Sequence, residues 1–189
     1  MLNKADSGRH FVIFRVLIVL CFITFAAVVR ILPHPWNFTP VGAMALFSGA
    51  KLGRSSKAFL FPLTALFCGD LFVGFHRLMP TVYFSFCVSV LIGIAFRNRQ
   101  SLKPLSAATF LGALQFFVIS NFGMWALETF YPHSVAGLAS CYIAAIPFFG
   151  NTLAGDVFYV LVLFGGFALV EPREPTLSVH PAPLPGSRA

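Results

Sequence analysis

Five long apolar runs constrain this chain more than any other feature: Phe11–Ile31, Ala58–Phe75, Thr81–Phe96, Leu105–Leu127 and Thr152–Val170. A bilayer's hydrocarbon core is about 30 Å thick, the reach of a helix of about 17–25 residues. Within that core every backbone N–H and C=O must bond inside its own segment, so such runs fold as helices. Two shorter runs, Phe38–Leu52 and Val135–Phe149, predict one further crossing and one tilted or re-entrant piece. The expected fold class is an all-α polytopic membrane protein, with about six transmembrane helices and one additional short or re-entrant helix.

Composition rules out the soluble alternative. Hydrophobic residues make up 58% of the 189, charged residues only 10%, and the mean hydropathy is +0.84. Soluble domains carry about a quarter charged residues. Three stretches follow: a cytoplasmic N-terminus over 1–10, a transmembrane domain over 11–170, and a Pro-rich, aperiodic tail over 171–189 expected to be disordered. FAAVVRILPHP offers no small-x-small cleavage site, so the first run reads as a retained helix rather than a cleaved signal.

The formal charge of +7 could point to nucleic acid, but its distribution does not. Eleven of the thirteen Lys and Arg stand at the ends of apolar runs: Lys4, Arg9 and Arg15; Lys51, Arg54 and Lys57; Arg97, Arg99 and Lys103; Arg173 and Arg188. Basic residues so placed hold their loops on the cytoplasmic side of the membrane. They put both termini in the cytoplasm and leave Arg30 and Arg77 on the outer side, as expected in a bacterial inner membrane.

With that orientation the polar groups gather in the outer half. Asp70 and Asp156 are the only carboxylates inside apolar spans, and each needs a partner or a function there. Arg30, His34, Asn37, Asn121 and Trp125 map to the same side. Asn121 and Trp125, four residues apart, share a helix face and pair an amide with a ring, as a flat heterocycle would require. The expected substrate-binding set is Arg30, His34, Asn37, Asp70, Asn121, Trp125 and Asp156, lining an outward pocket for a small-molecule solute. Structural ion pairing and an interfacial aromatic belt explain the same residues in part. CGDLF (68–72) and AGDVF (154–158) form a short internal echo that would place both aspartates at outer helix ends.

Ala45, Gly49 and Gly53 recur every four residues, a spacing that lets another helix approach closely. They are candidates for internal packing or for docking a partner membrane protein. Cys21, Cys68, Cys87 and Cys141 have neither disulfide nor zinc spacing. No phosphate-binding loop, zinc-hydrolase motif or nucleophile elbow occurs, so no enzyme activity, cofactor or metal is expected.

RILPHPWNFTPVGAMALFSGA, GDLFVGF, VYFSF, NFGMW and YPHSVAGLASCYIAAIPFFGNTLAGDVFY, with the closing LFG, resemble a family of small bacterial membrane proteins. It is the domain-of-unknown-function family 6580, and the likeness runs from about Val16 to Gly165. In size and helix layout that family is similar to the substrate-binding S components of energy-coupling-factor transporters, which take up vitamins and metal ions. The resemblance implies an S-component-like bundle with an outward solute site, and a transmembrane coupling subunit with ATPases as a possible partner. In S components the docking stripe lies on the first helix, where this chain has only Ala26 and Ala27. Some solitary S components hold cobalamin through a cysteine, which makes Cys68 the residue to examine. A non-transporting scaffold of the cell envelope is the competing reading.

Overall fold

The computed structural model describes residues 37–99 and 101–170, together with Thr24, Phe25, Val28, Val29 and Pro35. Five helices cover the described residues after Pro40, and no strand occurs among them: α1 (Val41–Leu52), α2 (Ser56–Val73), α3 (Met79–Phe96), α4 (Leu102–Leu127) and α5 (Val135–Val170). Four of them, α2 to α5, are long and apolar enough to cross a membrane. Most of the first predicted span, the N-terminus and the tail lie outside the described residues. Thr24, Phe25, Val28 and Val29 are helical, and the ring of Phe25 meets that of Tyr159 edge-on at 6.1 Å.

One boundary differs from the sequence expectation. Val135–Phe149 and Thr152–Val170 are not two pieces but one helix of 36 residues, α5. Gly150 and Asn151, which separate the two runs, are helical, and the helix also runs through the internal Pro147. In lipid a break would strand backbone groups without water, so the helix continues where a soluble protein would turn. At 1.5 Å per residue it is about 54 Å long, against a core of about 30 Å. Asp156 therefore lies well inside α5 rather than at a helix end, unlike Asp70 near the end of α2.

The centre of the bundle is α1, only 12 residues long and buried on nearly all sides. Pro40 precedes it, and Gly53 ends it with φ 62°, its N–H bonded to the Gly49 carbonyl. Gly49 faces the Val90 carbonyl and Gly93 of α3 faces the Leu46 carbonyl, each so closely that a Cβ would collide with backbone. The paired glycines let α1 and α3 cross nearly backbone to backbone. Ala45, Gly49 and Gly53 are all buried. Gly49 lies against α3, Ala45 belongs to a cluster with Val90 and Phe86, and Gly53 sits beneath Arg97. This stripe is spent on the chain's own packing, so a coupling subunit could not use it without displacing α3.

Polar contacts tie the remaining helices. Pro62, buried within α2, cannot donate to the Ala58 carbonyl, and Ser48 of α1 donates to that oxygen instead, at 2.7 Å. The same hydroxyl lies 3.0 Å from the Ala45 carbonyl. Between α3 and α4, Gln115 donates to Ser89 Oγ at 2.7 Å and to the Ser85 carbonyl at 3.1 Å. It also accepts from Ser85 Oγ at 3.1 Å. Such bonds help hold helices together where lipid is as apolar as the side chains. Outward-facing rings and aliphatics such as Phe72, Phe84 and Ile143 are left to the bilayer.

Candidate functional site

The segment before α1 sets one wall of a cavity. Phe38 N–H donates to the Pro35 carbonyl at 3.0 Å, and Thr39 N–H to the Asn37 carbonyl at 3.1 Å. Between them Asn37 adopts φ 64°, the left-handed region that Asn tolerates better than most residues. Asn37 thereby faces a cavity of about 640 Å³ bounded by the start of α3, the end of α4 and the first half of α5.

Aromatic and aliphatic side chains form most of its lining: Phe116, Phe117, Phe148, Phe149, Phe130 and Tyr131, with Met124, Leu78 and Val82. The polar lining is Asn37, Ser120, Asn121, Thr152 and Cys141, and no charged side chain borders the cavity among the described residues. Ser120 donates to the Phe116 carbonyl at 2.6 Å and Thr152 to the Phe148 carbonyl at 3.0 Å. The Asn121 amide donates to the Phe117 carbonyl at 2.8 Å. Both hydroxyls thus spend their protons on their own helices and keep oxygen lone pairs for a guest. The cavity is a hydrophobic slot that offers a guest acceptors, the oxygens of Ser120, Thr152 and the two asparagines, and donors, the Asn37 amide, the second Asn121 N–H and the Tyr131 hydroxyl.

Of the seven residues expected from sequence, Asn37 and Asn121 border this cavity. Arg30 and His34 lie outside the described residues. Trp125 turns away from it: its indole N–H donates to the Pro132 carbonyl at 3.0 Å, and its ring meets His133 edge-on at 5.5 Å. That pair fastens the α4–α5 connection. Asp70 is 1% exposed and accepts from the Tyr83 hydroxyl at 2.9 Å, which ties α2 to α3 away from the cavity.

Asp156 is 5% exposed and lies one turn beyond Thr152 on α5. Its carboxylate faces Gly42 in the first turn of α1, where any Cβ would strike Oδ1. The positive end of the α1 dipole favours a carboxylate there. No hydrogen bond to this carboxylate occurs among the described residues. Cys68 is half-buried with a free thiol and is not part of the cavity lining.

Sequence reading missed Ser120, Thr152 and the four phenylalanines at 116, 117, 148 and 149. A usable signal existed. Phe117, Ser120, Asn121 and Met124 repeat at helical spacing on α4, as do Cys141, Ala145, Phe149 and Thr152 on α5.

Residues 12–177 match one family, described as a family of unknown function, DUF6580. The chain belongs to DUF6580. The match begins before the described helices and extends past Val170, further into the tail than the likeness read from the motifs. No curated protein and no solved structure matches this DUF6580 chain.

Proposed function

We propose that this DUF6580 protein binds a small solute in the outward-facing cavity and serves in its uptake across the bacterial inner membrane, in the manner of an S component. The observation that carries this reading is the cavity itself: about 640 Å³ of aromatic wall with Asn37, Ser120, Asn121 and Thr152 converging on it. Binding pockets for drug-sized molecules have that size and that mixture of apolar wall and few polar groups.

The lining narrows the guest. With no charged side chain at the wall among the described residues, a neutral molecule suits it better than an ion. A planar ring with its own N–H or O–H donors would stack on the phenylalanines and use the spare oxygens of Ser120, Thr152 and Asn121. No cluster of three His, Cys, Asp or Glu occurs among the described residues, which favours an organic solute over a metal ion. The proposed topology is six crossings, the apolar run Phe11–Ile31 and α1 to α5, with both termini cytoplasmic and Asn37 on the outer side. It follows the cation placement. A coupling subunit, if one drives uptake, would dock on a face other than that of Ala45, Gly49 and Gly53.

The scaffold reading draws on a specific observation too, since Asp70 is engaged by Tyr83. It leaves the cavity without a purpose. Gentle purification followed by native mass spectrometry separates the two. Uptake predicts a bound small molecule that is lost from Ala144→Trp, a substitution at the cavity wall. It also predicts that neutral nitrogen heterocycles raise the melting temperature of the wild-type protein but not of that variant. If the purified protein is empty and no such compound shifts melting, the scaffold reading stands.

A further inference from the structure

At the opposite end of the bundle a second cavity, of about 790 Å³, opens between the start of α2 and the end of α3. Phe59, Leu91, Ile94 and Ala95 border it, with Arg54, Arg97 and Asn98 above them. Its apolar part runs along transmembrane helices and its cationic part sits at their ends, the level of the lipid phosphates. Gly53 allows the two arginines to converge. It turns the chain with φ 62°, and a Cβ there would come within 2.8 Å of Arg97 Nη1. The Arg97 guanidinium therefore lies over the turn that carries Arg54, with Nε 3.4 Å from Asn98 Oδ1.

Among the described residues the charge around this groove is one-sided. Lys51, Arg54, Lys57, Arg97, Arg99 and Lys103 all belong to this end. Of the three carboxylates among the described residues, Asp70 and Glu128 lie at the far ends of α2 and α4 and Asp156 lies within α5, and none borders the groove. Two guanidinium groups from different elements, above a slot of apolar side chains, match a phosphate joined to an acyl chain. We infer that this groove is a specific site for one anionic phospholipid, its phosphate held by Arg54 and Arg97 and an acyl chain lying along Phe59, Leu91 and Ile94. The lipid would fill the gap between α2 and α3 on the cytoplasmic side, and it is independent of the solute cavity.

The test uses the full chain in nanodiscs of phosphatidylcholine with or without phosphatidylglycerol. Phosphatidylglycerol should raise the melting temperature, and native mass spectrometry should find one retained molecule of it. Arg54→Gln with Arg97→Gln should lower that retained fraction at least ten-fold and abolish the shift. Lys57→Gln with Lys103→Gln removes the same charge from the same end and should leave both intact. Ala95→Trp, which fills the groove and keeps both arginines, should also expel the lipid. Three results would overturn the site: equal losses from the lysine and arginine pairs, retention unaffected by Ala95→Trp, or no lipid retained by the wild type. Inorganic phosphate reproducing the phosphatidylglycerol shift would overturn the lipid in favour of a soluble anion.

Discussion

α1 and α5 are both apolar helices of one membrane domain, and they occupy it in opposite ways. Eight of the 12 residues of α1 are buried, including its Ser48 and two neighbouring small residues, Ala45 and Gly49. α5 is three times as long and buries one stripe, with Cys141, Ala145, Thr152, Asp156, Tyr159 and Leu163 inside and Ile143, Leu161 and Leu169 outside. Hydrophobicity cannot separate them, because lipid and protein interior are equally apolar. Residue size can. Gly, Ala and Ser fill four of the eight buried positions of α1, the closest approach among them, whereas α5 turns large side chains such as Ile143, Leu161 and Leu169 outward.

The sharpest way to break that contrast is to place the same substitution on each helix. Gly49→Val puts a branched side chain into the Val90 carbonyl, a backbone atom that cannot rotate away. We expect a loss of about 3 kcal/mol or more, or no folded protein. Gly150→Val on α5 meets open space and should change stability by less than about 1 kcal/mol. Unfolding in mixed micelles by dodecyl sulfate, followed by circular dichroism, gives both numbers. Equal effects would mean that α1 is not the packed centre.

A smaller effect should appear where the two helices touch. Gly42→Ala drives a methyl group into the Asp156 carboxylate and should cost about 1–3 kcal/mol. In an Asp156→Ala background that cost should nearly vanish, with a coupling of at least about 1 kcal/mol between the two sites. Additive losses would place the carboxylate elsewhere. This pair also probes the solute reading, since Asp156 stands one turn from Thr152 without bordering the cavity. Gly42→Ala should weaken the fold more than it weakens solute retention.

These contacts show what the sequence revealed and where it stopped. Length and polarity made α2, α3 and α4 legible to within three residues at each end, because a bilayer imposes a length scale on its helices. The merging of two runs into α5 was hidden, because Pro147, Gly150 and Asn151 carry turn preferences learned from water. For the candidate site, Asn37 and Asn121 were found as polar residues out of place in lipid. Thr152 and Ser120 were not, since a hydroxyl bonded to its own helix carries little penalty and so draws no attention. Trp125 and Asp70 were conspicuous for the same reason as the asparagines, and their hydrogen bonds to Pro132 and Tyr83 explain them without a ligand.

The smallest expected effect concerns a compensation that sequence alone could not disclose. Pro62 leaves the Ala58 carbonyl without its helical donor, and Ser48 comes across from α1 to supply one at 2.7 Å. Ser48→Ala should therefore strand a buried carbonyl and cost about 1–2 kcal/mol. Pro62→Ala restores an N–H within α2, after which the Ser48 hydroxyl falls back on the Ala45 carbonyl 3.0 Å away. In that background Ser48→Ala should cost about 1 kcal/mol less, a coupling measurable in the same micellar unfolding series. A serine whose loss is felt equally with and without Pro62 would be acting through packing alone. The tie between α1 and α2 would then rest on side-chain shape, as it does between α1 and α3, rather than on a hydrogen bond made necessary by a proline.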